Sequence, residues 1–259
     1  MTLKTIYITR HGYRANWLPK DQQPPNPTGI DSDPPLAPHG VDQADELSQF
    51  ITKSLNPKPQ VIFSSPFYRC VETALPTAKA LNIDIFLERG VGEWYRPDRD
   101  IIPQPADHER LNKFFGCLTE EWPWDTVIPS PKGEHESDIF ARCKKFWELF
   151  IPKFESKFPD YDTVLIVTHA ATKIALDMSL LGYADTREFL KPEHGGDGKT
   201  TRIEASTCSL DHLILQDDGS WSIVMNGRTD FLSGGAEMNW HFASSVFEAG
   251  SKEDIEFRR

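Results

Sequence analysis

Apolar and polar positions along the chain switch between two periods, and each switch marks an element. Residues 4–9 are short, β-branched and apolar, and predict a strand. Residues 40–55 place Val41, Ala44, Leu47, Phe50 and Ile51 on one helical face, entered through Gly40. Pro59-Gln60-Val61-Ile62-Phe63 predicts a second strand, and residues 67–82 a helix interrupted or kinked near Pro76. Ile83-Asp84-Ile85-Phe86-Leu87 predicts a third strand. A long helix over 134–157 carries Ile139, Phe140, Cys143, Phe146, Trp147 and Phe150 as its stripe. The most apolar strand, 163–168, runs into a helix over 170–181. Residues 208–215 and 221–225 predict two last strands, joined through the hairpin turn Asp217-Asp218-Gly219.

Strands alternating with helices predict an α/β fold of three layers, α/β/α. Its central sheet is mostly parallel, is covered on both faces, and gains an antiparallel edge from the closing hairpin. No repeat or flexible linker divides the chain, so residues 1–245 read as one domain and 246–259 as a polar tail that frays. Two insertions interrupt the alternation. Residues 18–38 hold seven of the 20 prolines, and residues 94–133 are also proline-rich and contain Trp94, Trp122 and Trp124. Loops this long in a compact domain are functional lids or disordered. The tryptophans read first as loop packing, and second as an aromatic rim for an aryl ligand.

Composition narrows the function classes. The chain of 259 residues is long enough for a sizeable core, and its formal net charge of -11 leaves no basic face for nucleic acid, so direct nucleic-acid binding is not expected. No run approaches the roughly 18 apolar residues of a membrane span, and no apolar signal core precedes Arg10, so neither membrane nor secretion is expected. Cys70, Cys117, Cys143 and Cys208 are scattered without metal-ligand or redox spacing. Reduced thiols and a cytoplasmic or nuclear location follow as expectations.

The chemistry gathers at strand ends, where open α/β sheets bind ligands. Arg10-His11-Gly12-Tyr13-Arg14 sets a histidine between two guanidiniums after the first strand. Val167-Thr168-His169-Ala170 repeats a strand that ends in histidine. Between them, Ser64-Ser65-Pro66-Phe67-Tyr68-Arg69 follows the second strand, and Leu87-Glu88-Arg89-Gly90-Val91-Gly92-Glu93-Trp94 follows the third. A lone histidine after a strand is usually structural; two of them with the intervening arginine motif point to an anion site. Arg89, Arg96 and Asp98 read as a solvated loop, and His39, His108, His135, His194, His212 and His241 as structural or exposed. Gly195-Gly196-Asp197-Gly198-Lys199-Thr200 ends like a phosphate-binding P-loop, but position 193 is Glu where the spacing needs glycine, so it reads as an exposed turn.

In this order the four segments resemble the histidine phosphatase superfamily, also called phosphoglycerate mutase-like, over residues 4 to about 230. The resemblance implies a metal-independent, histidine acid-type phosphomonoesterase that needs no cofactor. It makes His11 the nucleophile that forms a phosphohistidine. Arg10, Arg14 and Arg69 become phosphate clamps, and His169 a donor to a phosphoryl oxygen and a transition-state stabiliser. Glu93 becomes the general acid and base, with Glu88 as the alternative acid. Mutases of the family carry a small serine-type residue where Arg14 stands, which favours hydrolysis over mutase action. The Leu87–Trp94 segment is similar to the branch with protein-tyrosine-phosphatase-like members, which implies aryl phosphates or phosphotyrosine peptides before other phosphorylated small molecules. Gly12–Pro19 and Gly29–Asp33 are similar to a fungal group of phosphatase domains in a transcription factor IIIC subunit. Members of that group carry a long further segment, so the chain reads as a stand-alone relative or a part. The alternative it implies is a scaffold or assembly module with protein partners and weak or incidental phosphatase activity.

Overall fold

The computed structural model describes residues 2–120, 122 and 125–242. Its elements are β1 (Thr5–Arg10), α1 (Pro38–Ser54), β2 (Val61–Ser64), α2 (Tyr68–Leu81), β3 (Ile85–Leu87) and α3 (His108–Phe115). They continue with β4 (Leu118–Thr119), α4 (Glu136–Lys157), β5 (Thr163–Thr168), α5 (Ala170–Leu180), β6 (Leu210–Leu215) and β7 (Trp221–Arg228). The seven strands form one sheet in the order β4-β3-β2-β5-β1-β6-β7. Neighbours from β4 to β1 run parallel, and β6 and β7 are antiparallel.

The period-two alternation of each strand sorts the core into two layers. Ile6, Ile8, Val61, Phe63, Val164 and Ile166 pack with Phe146, Phe150 and Phe154 of α4 and Ile174 of α5. Tyr7, Ile62, Leu165 and Val167 face the other way, onto Leu47 and Ile51 of α1 and Cys70, Val71 and Ala74 of α2. The fold is therefore a three-layer α/β/α sandwich with a mostly parallel sheet. Every residue of β1 and β5 is buried, as strands covered on both faces require.

Several details differ from the sequence expectation. Helix α1 starts at Pro38, in the first turn, where the missing proline N–H costs nothing. Gly40 is thus inside the helix rather than at its entry; a Cβ there would lie 2.1 Å from the Tyr13 carbonyl oxygen, so glycine lets the segment after His11 pack against α1. Helix α2 continues through Pro76 without interruption. Within 94–133, expected as loop, the chain forms α3 and β4. Asp107 caps α3 by accepting from Arg110 N at 2.8 Å, and Gly116 ends it in the left-handed region at φ 62°. The 18–38 segment has no long element but is tied down: Leu36 bridges Arg14, and Leu36 N donates to Glu72 at 2.7 Å. Trp124 and the tail at 246–259 lie outside the described residues. Among the described residues no helix is long and apolar enough to cross a membrane.

Candidate active site

In the parallel part of the sheet, Arg10 pairs with Thr168, Ser64 with Val167, and Ser64 with Leu87. That register brings the carboxyl ends of β1, β5, β2 and β3 to one edge, and the next residues form the site. His11 is 1% exposed. Its Nδ1 lies 2.8 Å from its neighbour's Gly12 carbonyl oxygen, which makes Nδ1 the protonated nitrogen and leaves Nε2 with its lone pair. Burial, then the charges of Arg69 and Arg10, then His169 and Arg14, hold its pKa well below the usual histidine value. The ring is therefore neutral across the physiological range.

The three predicted arginines are all buried. Arg10 Nη1 donates to the carbonyl oxygens of Ala205 and Met238, both at 2.6 Å. The Trp17 ring stands 4.6 Å from the Arg14 guanidinium and 5.5 Å from that of Arg10, and 6.2 Å from the His11 ring. Arg69 projects from the first turn of α2. Its Nη2 reaches Glu93 Oε2 at 3.0 Å and His169 Nδ1 at 3.1 Å, while Nη1 reaches the Ser32 carbonyl at 3.3 Å and Asp33 at 3.5 Å.

His169 is fully buried, with its ring 5.4 Å from that of His11. Nε2 meets Ser65 Oγ at 2.7 Å, and Nδ1 lies 3.1 Å from Glu93 Oε2. Burial, opposed by Glu93, lowers its pKa to about 4. Glu93 accepts Trp94 N on Oε1 at 3.1 Å. Burial pushes its pKa up, but His169, Arg69 and Arg14 together outweigh burial and leave the carboxyl well below its ordinary value.

Glu88, the alternative acid, sits elsewhere. It is fully buried and accepts from Gly90 N at 2.8 Å, Trp122 Nε1 at 2.9 Å, Thr126 N at 3.1 Å and Thr126 Oγ1. It ties Trp122 and Thr126 to the end of β3. Trp94 and Trp122 are buried packing residues rather than a rim. Arg96 pairs with Asp98 at the surface at 3.2 Å, and Arg89 donates to Gln104 at 3.2 Å. Outside the site, His39 pairs with Glu237 at 2.6 Å and His194 with Tyr183 at 2.8 Å. In the P-loop-like turn, Asp197 Oδ1 accepts the amides of Lys199, Thr200 and Thr201, which are the donors a phosphate would need.

Sequence reasoning missed Asp33, Ser65 and Trp17. Asp33 is fully buried and accepts Thr28 Oγ1 at 2.8 Å and Tyr68 N at 2.9 Å beside Arg69. It ties the proline-rich segment to the start of α2. One ligand atom each from His11, Glu93 and His169 falls within a mutual 4.8 Å, a spacing that a metal ion fits. The surrounding charge disfavours a cation: Arg69 Nη2 already touches Glu93 and His169, and Arg10 and Arg14 add two more positive groups. The arrangement suits an anion facing a neutral imidazole and a carboxyl group.

A family model for the histidine phosphatase superfamily (branch 1) matches residues 6–220. The chain is 49% identical, over 282 aligned positions and its whole length, to the transcription factor tau 55 kDa subunit of Saccharomyces cerevisiae, and spans 63% of that relative. It is 25% identical over 177 residues to a bifunctional protein of Mycobacterium tuberculosis, a match covering 66% of this chain and 41% of that one. Among solved structures, the ecdysone phosphate phosphatase of Bombix mori superposes with a TM-score of 0.62 at 18% identity, covering 86% of this chain and 93% of that one. The phosphoserine phosphatase of Entamoeba histolytica superposes with a TM-score of 0.55 at 19% identity, covering 88% and 98%. At those identities the structures establish the shared fold.

Proposed function

The chain belongs to branch 1 of the histidine phosphatase superfamily, and from that premise we propose that it hydrolyses phosphomonoesters in two steps through a phosphohistidine on His11. The observation that carries the reading is the His11 ring itself. Its Nδ1 proton is committed to the Gly12 carbonyl at 2.8 Å, and its free Nε2 faces a site ringed by Arg10, Arg14 and Arg69.

In the first step the Nε2 lone pair forms a bond to phosphorus as the ester P–O bond breaks. Arg10, Arg14 and Arg69 hold the phosphoryl oxygens, and guanidinium forks suit them because they stay charged and bond in pairs. His169 donates to an oxygen that gains charge in the transition state. Glu93 passes a proton to the leaving oxygen. It is ionised while paired with Arg69, and an arriving phosphate competes for Arg69 Nη2. The anion's own charge then raises the carboxyl's affinity for the proton it must deliver. In the second step the Glu93 carboxylate takes a proton from water, the water oxygen bonds to phosphorus, and His11 leaves with Nε2 free again. No step calls for a metal ion.

Aryl phosphates and phosphotyrosine peptides are the favoured substrates, ahead of other phosphorylated metabolites. The cleft beside Glu93 supports this preference, because Phe67 and Tyr95 line it. Turnover of p-nitrophenyl phosphate by the full chain in the presence of chelator, abolished by His11→Ala, is the expected result; no turnover by either protein contradicts it.

A second reading has its own support. The relative that matches the whole chain is named as a transcription factor subunit. On that reading the domain serves in a nuclear assembly through protein partners, and catalysis is incidental. Recovery of the same assembly with wild type and His11→Ala would favour it.

A further inference from the structure

The segment from Glu88 to Tyr95 is held at its main-chain oxygens. Gly90 O accepts Arg142 at 2.7 Å, Val91 O accepts Thr168 Oγ1 at 2.6 Å, and Gly92 O accepts Thr172 Oγ1 at 2.7 Å. Tyr95 O accepts Glu134 N at 2.8 Å, and Trp94 Nε1 donates to Glu134 O at 2.8 Å. Arg142 in turn grips the Glu134 carboxylate with Nε at 2.7 Å and Nη2 at 2.9 Å. Gly133 completes the brace. Its φ of +80° admits only glycine, as does the Arg96 backbone, which would lie 2.7 Å from an added Cβ.

Two buried side-chain atoms on this segment lack a hydrogen-bond partner among the described residues, Arg89 Nε, which has Asp125 as an ion-pair partner at 3.7 Å, and Tyr95 Oη. Tyr95 is only 7% exposed. A buried hydroxyl in that condition bears its full desolvation cost, and such atoms mark strain or a functional task. The ring has little freedom to seek water. Phe67 packs against it at 6.2 Å between centroids, and the Arg99 guanidinium lies 4.8 Å over it, anchored on Ser32 Oγ at 3.1 Å.

Tyr95 and Glu93 line the same cleft, which opens to solvent. Its other walls include Phe67, Ile102, Pro103, Pro105 and Pro129, with Arg89 and Gln104 as the polar groups toward solvent. Proline walls lose no side-chain freedom when a ligand arrives. None of Arg10, His11 or Arg14 lines the cleft, so it extends from the Glu93 carboxyl away from the nucleophile.

We propose that this cleft holds the organic half of the ester, favouring flat apolar rings, and that Tyr95 Oη donates a hydrogen bond to the bridging oxygen beside Glu93. The inference rests on the hydrolase reading above and names the groups that choose its substrate. As the P–O bond breaks, the bridging oxygen gains negative charge and takes its proton from Glu93. Tyr95 keeps its own proton and only stabilises that charge. Burial, which pushes the phenol pKa above its ordinary value, keeps it a donor.

The test measures kcat/KM of the full chain on phenyl phosphates of rising leaving-group pKa and on glycerol phosphate, with His11→Ala as blank. Tyr95→Phe is expected to melt no lower than wild type, since it loses only an unpartnered hydroxyl. It should lower kcat/KM by about tenfold, and by more as the leaving group becomes poorer. Ile102→Asp, at the half-buried rim, should raise KM for phenyl phosphates by more than for glycerol phosphate, and an equal rise for both would remove the ring preference. An active wild type, a silent His11→Ala and a Tyr95→Phe equal to wild type on every substrate would overturn the Tyr95 assignment alone. An equal loss on all leaving groups would likewise remove the bond to the bridging oxygen. A wild type inactive on every phosphate would overturn the hydrolase reading and this one with it.

Discussion

Replacing Arg69 by alanine removes the group that touches most of the site. Its guanidinium contacts Glu93 at 3.0 Å, His169 at 3.1 Å, the Ser32 carbonyl at 3.3 Å and Asp33 at 3.5 Å. In the proposed reaction its fork turns to the phosphoryl group. Charge-assisted hydrogen bonds contribute about 1.5–3 kcal/mol each, so losing two costs about 3–6 kcal/mol, on the order of 10²- to 10⁴-fold in kcat/KM. Arg69→Lys keeps the charge and loses the fork, so about half of that loss in kcal/mol is expected. The alanine variant also leaves Asp33 and Glu93 buried without their cation, a change that costs about 3–5 kcal/mol in stability when the charge stays. Asp33 escapes part of that cost by taking up a proton, because burial already raises its pKa. The pH profile adds a second readout. Arg69 is among the charges that lower the His11 pKa. Without it His11 protonates at higher pH, and the acid limb of kcat/KM moves toward neutrality. The assay is p-nitrophenyl phosphate hydrolysis from pH 4 to 8, run well below the melting temperature of each variant. An Arg69→Ala protein within about threefold of wild type, with its acid limb unmoved, would refute the reasoning.

Glu93→Gln should cut kcat by about 10²-fold or more on phenyl phosphate, with a smaller loss on the better leaving group p-nitrophenol. Glu88→Gln should instead lower the melting temperature with little change in kcat, because its amide turns a donor toward the N–H and O–H groups that Glu88 accepts; equal kinetic losses for both variants would contradict the split of roles. Asp33→Asn, which loosens Arg69 without touching substrate, should lower kcat/KM by about tenfold while the variant stays folded, and no loss would remove Asp33 as a positioning residue. Burial, partly offset by the Leu36 amide, raises the Glu72 pKa from 4.5 to about 7. The folded chain therefore binds more protons there than the unfolded chain between those values, and this contribution to stability is lost as pH rises through that window. Glu72→Gln should gain on wild type by about 2–3 kcal/mol between pH 4.5 and pH 8 in urea unfolding, and a constant difference would contradict the assignment.

The strands that lead into His11 and His169 were legible because both are fully buried runs followed directly by a polar residue. The same holds for the two core layers, since period-two strands and 3.6-period helices encode which side faces which. Helix α3 escaped notice because it buries one apolar residue, Leu111, and shows no stripe; its cues were the capping Asp107 and the left-handed Gly116. The choice between Glu88 and Glu93 needed three dimensions. Both follow β3 within a few residues, but Trp122 and Thr126 donate to Glu88 while Arg69 and His169 meet Glu93. Asp33, Ser65 and Tyr95 carry no periodic signal at all. Asp33 meets Arg69 from 36 positions away, and Ser65 meets His169 from 104. Trp94 and Trp122 were readable as packing because large aromatics in a loop bury first.

The central claim is a covalent bond from His11 to phosphorus. Mixing the full chain with a radiolabelled aryl phosphate, quenching within the turnover time and mapping the label tests it most directly. The account predicts an acid-labile, base-stable phosphoryl group on His11 that forms and decays with turnover and is absent in His11→Ala. Turnover without a trapped label, or label that persists in His11→Ala, would contradict it.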